Sequence, residues 1–149
     1  MQYTGKDLNK TLWVKREESE KYRNWYKVDA SKVLRLAVDI AKKLLGKHKA
    51  HYCDFWDVGD FVVVENVDKI RVTNNKLLQK MYYTHSGYKN IKSINLLDLL
   101  KKDPEKVLFL AVRMLTKNKL RSHRMKRLKL TKGTTTKYDH FKPVNLYND

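Results

Sequence analysis

The sequence predicts a mixed α/β domain, on three observations. Val33, Leu36, Ala37, Ile40, Ala41 and Leu44 recur at steps of three and four, which makes one apolar helix face. Phe61-Val62-Val63-Val64 is an unbroken apolar run of the kind found in a strand covered on both sides. The 149 residues, 42% hydrophobic and 11% aromatic, suffice to bury one core without disulfides. No internal repeat is visible.

In chain order, Trp25-Tyr26-Lys27-Val28 is the first β-prone run. The helix that follows has Asp29 or Ser31 as its expected cap and Gly46, at positive φ, as its expected stop. Beyond the strand at 61–64, Ile70 and Val72 alternate with charged Lys69 and Arg71 and predict another strand, and Lys80 to Thr84 predicts a further one. A second helix begins around Asn95, carried by Leu96, Leu97, Leu99 and Leu100. A third is announced by Asp103 as cap and Pro104 in its first turn, with Val107, Leu108, Leu110, Ala111 and Met114 behind. Residues 1–24 read as an N-terminal extension, 25–130 as the domain with a late basic segment, and 131–149 as a C-terminal tail.

Charge narrows the function. The chain carries 33 Lys and Arg against 16 Asp and Glu, a formal surplus of +17. Such a surplus makes a compact chain repel itself, and a polyanion relieves it by accepting the side chains and releasing counterions. Nucleic acid is the first expected partner and an anionic membrane surface the second. No apolar run approaches the roughly 18 residues of a membrane helix, and lone Cys53 cannot close an internal disulfide, so a soluble protein of a reducing compartment is expected. The bases are unevenly placed: residues 113–132 hold nine and no acid, whereas 1–24 hold six against four acids.

Chemistry-bearing constellations are incomplete. His48, His51 and Cys53 with Asp54 and Asp57 could bind a transition metal, but their spacing is weak. Asp57 and Asp60 flank Gly59 just before the valine run, where a nuclease could hold magnesium and where a tight turn would equally select Asp and Gly. His85 with Ser86-Gly87 lacks a third catalytic group and an oxyanion loop. The expectation is no enzyme, no cofactor, no metal and no small-molecule substrate, with a metal-dependent nuclease or RNA-modifying enzyme using Asp57 and Asp60 as the alternative. Basic and aromatic groups are more numerous. Lys47, His48 and Lys49 follow Gly46 on an expected exposed turn, and Tyr82, Tyr83, His85 and Tyr88 lie between Lys80 and Lys89. A DNA-binding protein is a third reading.

An ordered series of short matches adds to this. Trp25-Tyr26-x-Val28-Asp29-Ala30, Arg35-Leu36-Ala37, Gly46-Lys47-His48-Lys49-Ala50, Asp57-x-Gly59-Asp60, Val62 to Asn66, Val72-Thr73, Lys80 to Tyr83 and His85-Ser86-Gly87-Tyr88 together resemble the ribosomal protein L-thirteen family of the large subunit. Lys117-Asn118-Lys119-Leu120 and Met125-Lys126-Arg127-Leu128-Lys129 resemble that family's late basic segment. The resemblance implies a three-layer α/β/α domain with a short, mainly parallel sheet, and a structural, non-catalytic role on large-subunit ribosomal RNA beside neighbouring ribosomal proteins. It makes Lys47, His48, Lys49, Arg71, Lys76, Tyr82, His85, Tyr88, Lys117, Lys119, Arg121, Arg124, Lys126, Arg127 and Lys129 the candidate RNA-binding residues. Most late basic side chains are expected to face solvent in the free chain, with Leu115, Leu120, Met125 and Leu128 fastening the segment to the domain.

The chain departs from the family pattern in places. Leu34, Arg113 and Arg121 stand where Gly is usual, Thr116 where Pro is usual, and Lys89-Asn90 shortens an expected Pro-Gly-Gly. Asn74 also replaces Gly, at a turn its side chain can tolerate. Twenty-five lysines against 8 arginines fit a lineage with an A/T-rich genome, so a mitochondrial ribosome is expected ahead of one in the bacterial cytoplasm.

Overall fold

The computed structural model describes residue 19, residues 21–33 and residues 36–147. The extension through residue 18, residue 20, the departure at Leu34, the matching Arg35, and residues 148–149 lie outside the described residues. In chain order the elements are β1 (Trp25–Asp29), α1 (Leu36–Leu45), β2 (Phe61–Glu65), a 3-10 turn (Val67–Lys69) and the short helix α2 (Lys76–Gln79). The hairpin strands β3 (Met81–His85) and β4 (Ile91–Asn95) come next, then helices α3 (Leu96–Lys102), α4 (Pro104–Leu115) and α5 (Arg121–Lys126). Strand β5 (Leu128–Leu130), a 3-10 turn (Asp139–Phe141) and strand β6 (Val144–Asn145) complete them.

The valine run dictates the architecture. Val62, Val63 and Val64 are each at most 1% exposed, so β2 needs cover on both faces and a strand on both edges. Parallel β1 and β5 flank it, with Trp25 beside Phe61 and Val62 beside Leu128, and β6 adds a parallel strand outside β1. The result is a four-stranded parallel sheet in a single-domain α/β fold. Val28, Val62, Val64 and Leu128 face α1, α4 and α5, packing against Leu36, Ile40, Leu44, Leu108, Val112 and Met125. On the opposite face, the Trp25 ring is sandwiched between Phe61 and Phe141, with ring centroids 4.3 and 4.1 Å away.

That second cover comes from the segment read as a tail. Glu65, buried in β2, accepts from the Thr135 N–H at 2.6 Å and from Lys27, while the Leu146 N–H donates to the Lys27 carbonyl. Residues 131–147 therefore complete the sheet and its second face. Aperiodicity hid this, because a two-residue strand and stacked rings leave no sequence period.

Local signals explain the helix ends. Gly46 adopts φ +81°, its N–H reaches the Lys43 carbonyl and the Lys47 N–H reaches that of Lys42, a Schellman stop as expected. Asp103 caps α4 by accepting from the Lys106 N–H, and Asn74 takes φ +57°. Asp29 is different: its carboxylate accepts from Ser31 and Asn66 within a turn. Those hydrogen bonds, led by the Ser31 backbone N–H, lower its pKa.

Two strand expectations need correction. Residues Ile70 to Val72 form no strand, because β5 already occupies the free edge of β2; they run as a connector with Ile70 on the main core. The strand expected at 80–84 exists as β3, yet it pairs antiparallel with β4 in a separate hairpin. That hairpin and α3 rest on a second cluster of Leu96, Leu99 and Val107 with Tyr82 and Ile94 packed against it.

Two outcomes test this architecture. Ile40, fully buried, is expected to cost about 2–5 kcal/mol on replacement by Ala, read by urea unfolding. Truncation after Leu130 is expected to lower the melting temperature and expose Trp25 to quenchers of indole fluorescence. A melt unchanged by that truncation would reduce the segment to an accessory.

Candidate nucleic-acid interface

The expected interface begins where α1 stops. Of the three residues after Gly46, Lys47 and His48 are exposed and Lys49 is half-buried. Lys49 turns in, its ammonium donating to the carbonyls of Tyr22 at 2.7 Å and Val58 at 2.9 Å and to the Asp60 carboxylate at 2.5 Å. His48 Nε2 lies 2.8 Å from the other oxygen of Asp60. Burial, then the nearby Lys43 charge, hold the His48 pKa below its usual value against the pull of Asp60. Asp60 itself is fully buried and also accepts from the Asn24 N–H at 2.8 Å.

Asp57 does the corresponding work for the late basic segment. Both Nη atoms of Arg127 donate to its carboxylate, one of them at 2.6 Å, and Arg127 Nη2 also reaches the Leu44 carbonyl at the end of α1. Arg124 is 0% exposed and holds its Nε 3.6 Å from Asp57, while its Nη1 donates to the Lys117 carbonyl. Between the two acids, Gly59 allows a closer approach than any other described glycine. A Cβ there would stand 1.8 Å from the Leu44 carbonyl oxygen. Burial pushes the Asp57 pKa up, but the Arg127 hydrogen bonds and the charges of Arg127, Arg124 and Arg23 together bring it below the ordinary carboxylate value.

This geometry revises several expectations. Asp57 and Asp60 are neither turn-formers nor metal-holders; their oxygens are committed to cations of the chain itself. Among the described residues, no three His, Cys, Asp or Glu side chains are gathered as a metal would need. Arg124 and Arg127 do not face solvent as the acid-free run suggested, because an acid some 70 positions away lies against them. Local charge counting cannot see such a partner. A detectable sign was present, since Arg127 directly precedes the apolar β5 and enters the core with it. Lys49 and His48 are likewise structural in the free chain. Met125 and Leu128 fasten the segment as expected, whereas Leu115 is 45% exposed and does not.

The other candidates divide by exposure. Lys117, Lys119 and Lys126 are exposed, Lys129 is half-buried, and Arg121 is half-buried with its Nε donating to the Thr116 carbonyl at 2.8 Å. Arg71, Lys76, His85 and Tyr88 are exposed, Tyr88 at 82%. His85 Nδ1 accepts from the Gly87 N–H and so shapes the hairpin turn, which argues against a base for Ser86. Tyr82 is half-buried in the second cluster, with the Lys80 ammonium 5.2 Å from its ring centre. The structure also exposes what the candidate set omitted: Tyr83 and Ile91 stand 71% and 65% open on the outer face of the hairpin. Residues 69–97 contain six bases and no acid, a second cationic stretch legible in the sequence.

If the ion pair is structural, Asp57→Asn is expected to cost about 3–5 kcal/mol by leaving Arg127 buried without its counter-charge. Because the folded-state pKa of Asp57 is depressed, its stabilisation is complete above the ordinary carboxylate range and is lost as pH falls through that lower value. The gap between wild type and Asp57→Asn should hold steady from about pH 5 to 7 and shrink below about pH 4. A pH-independent gap in urea melts would contradict the pairing.

Comparison with known proteins identifies the family. A profile of the family described as Ribosomal protein L13 matches residues 23–137, which take in both acids, the hairpin and the late basic segment. The "Large ribosomal subunit protein uL13" of Thermotoga petrophila is 51% identical over 127 residues, covering 83% of this chain and 84% of the relative. That of Aquifex aeolicus is 49% identical over 141 residues, covering 92% and 96%. A third, from Thioalkalivibrio sulfidiphilus, is 44% identical over 132 residues, covering 86% and 93%. With most of its length matched at this identity, the chain belongs to the ribosomal protein L13 family.

Proposed function

We propose that this protein is a structural, non-enzymatic constituent of the large ribosomal subunit that binds ribosomal RNA through cationic loops held on a rigid α/β core. The observation that carries the reading is the sorting of charge. The acids nearest the core are consumed by Lys27, Lys49, Arg124 and Arg127, while Lys47, Arg71, Lys76, Lys117, Lys119 and Lys126 stay exposed. Exposed lysines on several separate loops suit phosphates from non-contiguous RNA segments, a mode that reads RNA shape more than base sequence. Arg124, Lys49 and His48 support those loops from within the fold.

Neighbouring ribosomal proteins are expected partners, since the exposed hairpin face mixes Tyr83 and Ile91 with few charges. The relatives named above are bacterial, which supports a ribosome of bacterial type. The mitochondrial setting rests on the lost glycines and the excess of lysine over arginine.

Co-sedimentation of the tagged chain with large subunits at moderate salt tests the reading directly. In addition, replacing Lys117, Lys119 and Lys126 by Gln is expected to lower the salt slope of ribosomal RNA binding by up to about one unit for each phosphate no longer neutralised, with the melting temperature unchanged. An unchanged slope would remove these lysines from the interface.

A further inference from the structure

We infer that the cleft between the Phe55-Trp56 loop and α5 is a nucleotide-binding subsite that receives one unpaired RNA nucleotide, its phosphate against the arginine wall and its base on Phe55. This rests on the RNA-binding reading above and adds Phe55, Trp56, Arg23 and His123, none of them candidates from sequence, to Arg127. The cleft has a volume of about 410 Å³, and Arg23, Phe55, Trp56, Asp57, His123 and Arg127 are among its lining residues. A space of that order accommodates a small ligand such as a single nucleotide.

Its electrostatics favour an anion. Arg127 in the wall and fully buried Arg124 behind it share the single carboxylate of Asp57, so one positive charge remains uncompensated by that carboxylate. Donors are in surplus too. On the lining residues Arg127 and Trp56, Arg127 Nε and Trp56 Nε1 are buried without a hydrogen-bond acceptor. Unmet buried donors carry a desolvation cost, and phosphate oxygens supply the acceptors this neighbourhood lacks. Phe55 is 69% exposed beside these groups, which is a stacking platform where a base attached to that phosphate would lie.

A polymer fits better than a free anion because α5 is cationic on its other side as well. There Arg113, Lys119, Arg121 and Lys126 line a second cleft of about 520 Å³. A strand crossing α5 would meet both clefts in succession.

The full chain, titrated with a short oligouridylate and with a short RNA duplex, tests the inference. Phe55→Ala is expected to weaken oligouridylate binding about tenfold, the size of one stacked base, while leaving duplex binding and the melting temperature unchanged. Phe55→Trp should retain the affinity. Unchanged oligouridylate binding by Phe55→Ala overturns the subsite. So does displacement of oligouridylate by inorganic phosphate as effectively as by uridine monophosphate, which would leave a simple anion hole. Loss of co-sedimentation by Phe55→Ala with oligouridylate binding intact would assign the cleft to a protein partner and equally overturn it. Wild-type co-sedimentation decides the ribosomal reading separately, so either conclusion can fail without the other.

Discussion

Two carboxylates, Asp57 and Asp60, carry the constraint on which the rest of the molecule depends. They stand three residues apart on either side of Gly59, just before the central strand, and each is met by cations from a different part of the chain. Asp60 gathers Asn24 at the entry to β1 and the His48-Lys49 turn beyond α1. Asp57 gathers α5 and the entry to β5. Arg127 also binds the last turn of α1, against which Gly59 packs without room for a side chain. Helix, loop and three strands are thus registered to one another at a single junction. In a chain with a surplus of 17 positive charges, that junction is where negative charge is concentrated to offset repulsion inside the fold.

Arginine and lysine are used differently as a result. The planar guanidinium of Arg127 engages a carboxylate with two donors and still reaches a carbonyl, which suits a buried crossing point. Lysines on the 117–126 loop and helix keep their ammonium groups in water, where a flexible point charge can follow a phosphate backbone. Lys49 is the exception: three oxygen acceptors within 2.9 Å replace its hydration, and it becomes internal.

Legibility followed the range of the interaction. Helix α4 was visible because Asp103, Pro104 and the apolar steps behind them act within one or two turns, and α1 ended at Gly46 for the same reason. The central strand was visible from its valines. The ion pair of Asp57 with Arg127 was not, since nothing local links positions 70 apart, and the acid-free stretch around Arg127 read as solvent-facing for that reason. The Ile70-Val72 alternation misled because propensity says nothing about whether a sheet edge is vacant, and here Leu128 to Leu130 had taken it. The Phe55 cleft left no pattern at all, being assembled from three separate segments.

Strand β6 bears on the order of folding. Its pairing with β1 joins Tyr26 to Val144, so one edge of the sheet closes only after more than a hundred intervening residues have been synthesised. Pairings of that sequence separation form late, because the loop entropy must be spent before they repay it. Until then β1 presents unpaired amides and carbonyls beside the uncovered ring of Trp25, a template for strand addition by another nascent chain. Rapid capture of the emerging protein by a chaperone or by its RNA would shorten that interval, and makes vulnerability to aggregation during synthesis a property of topology more than of final stability.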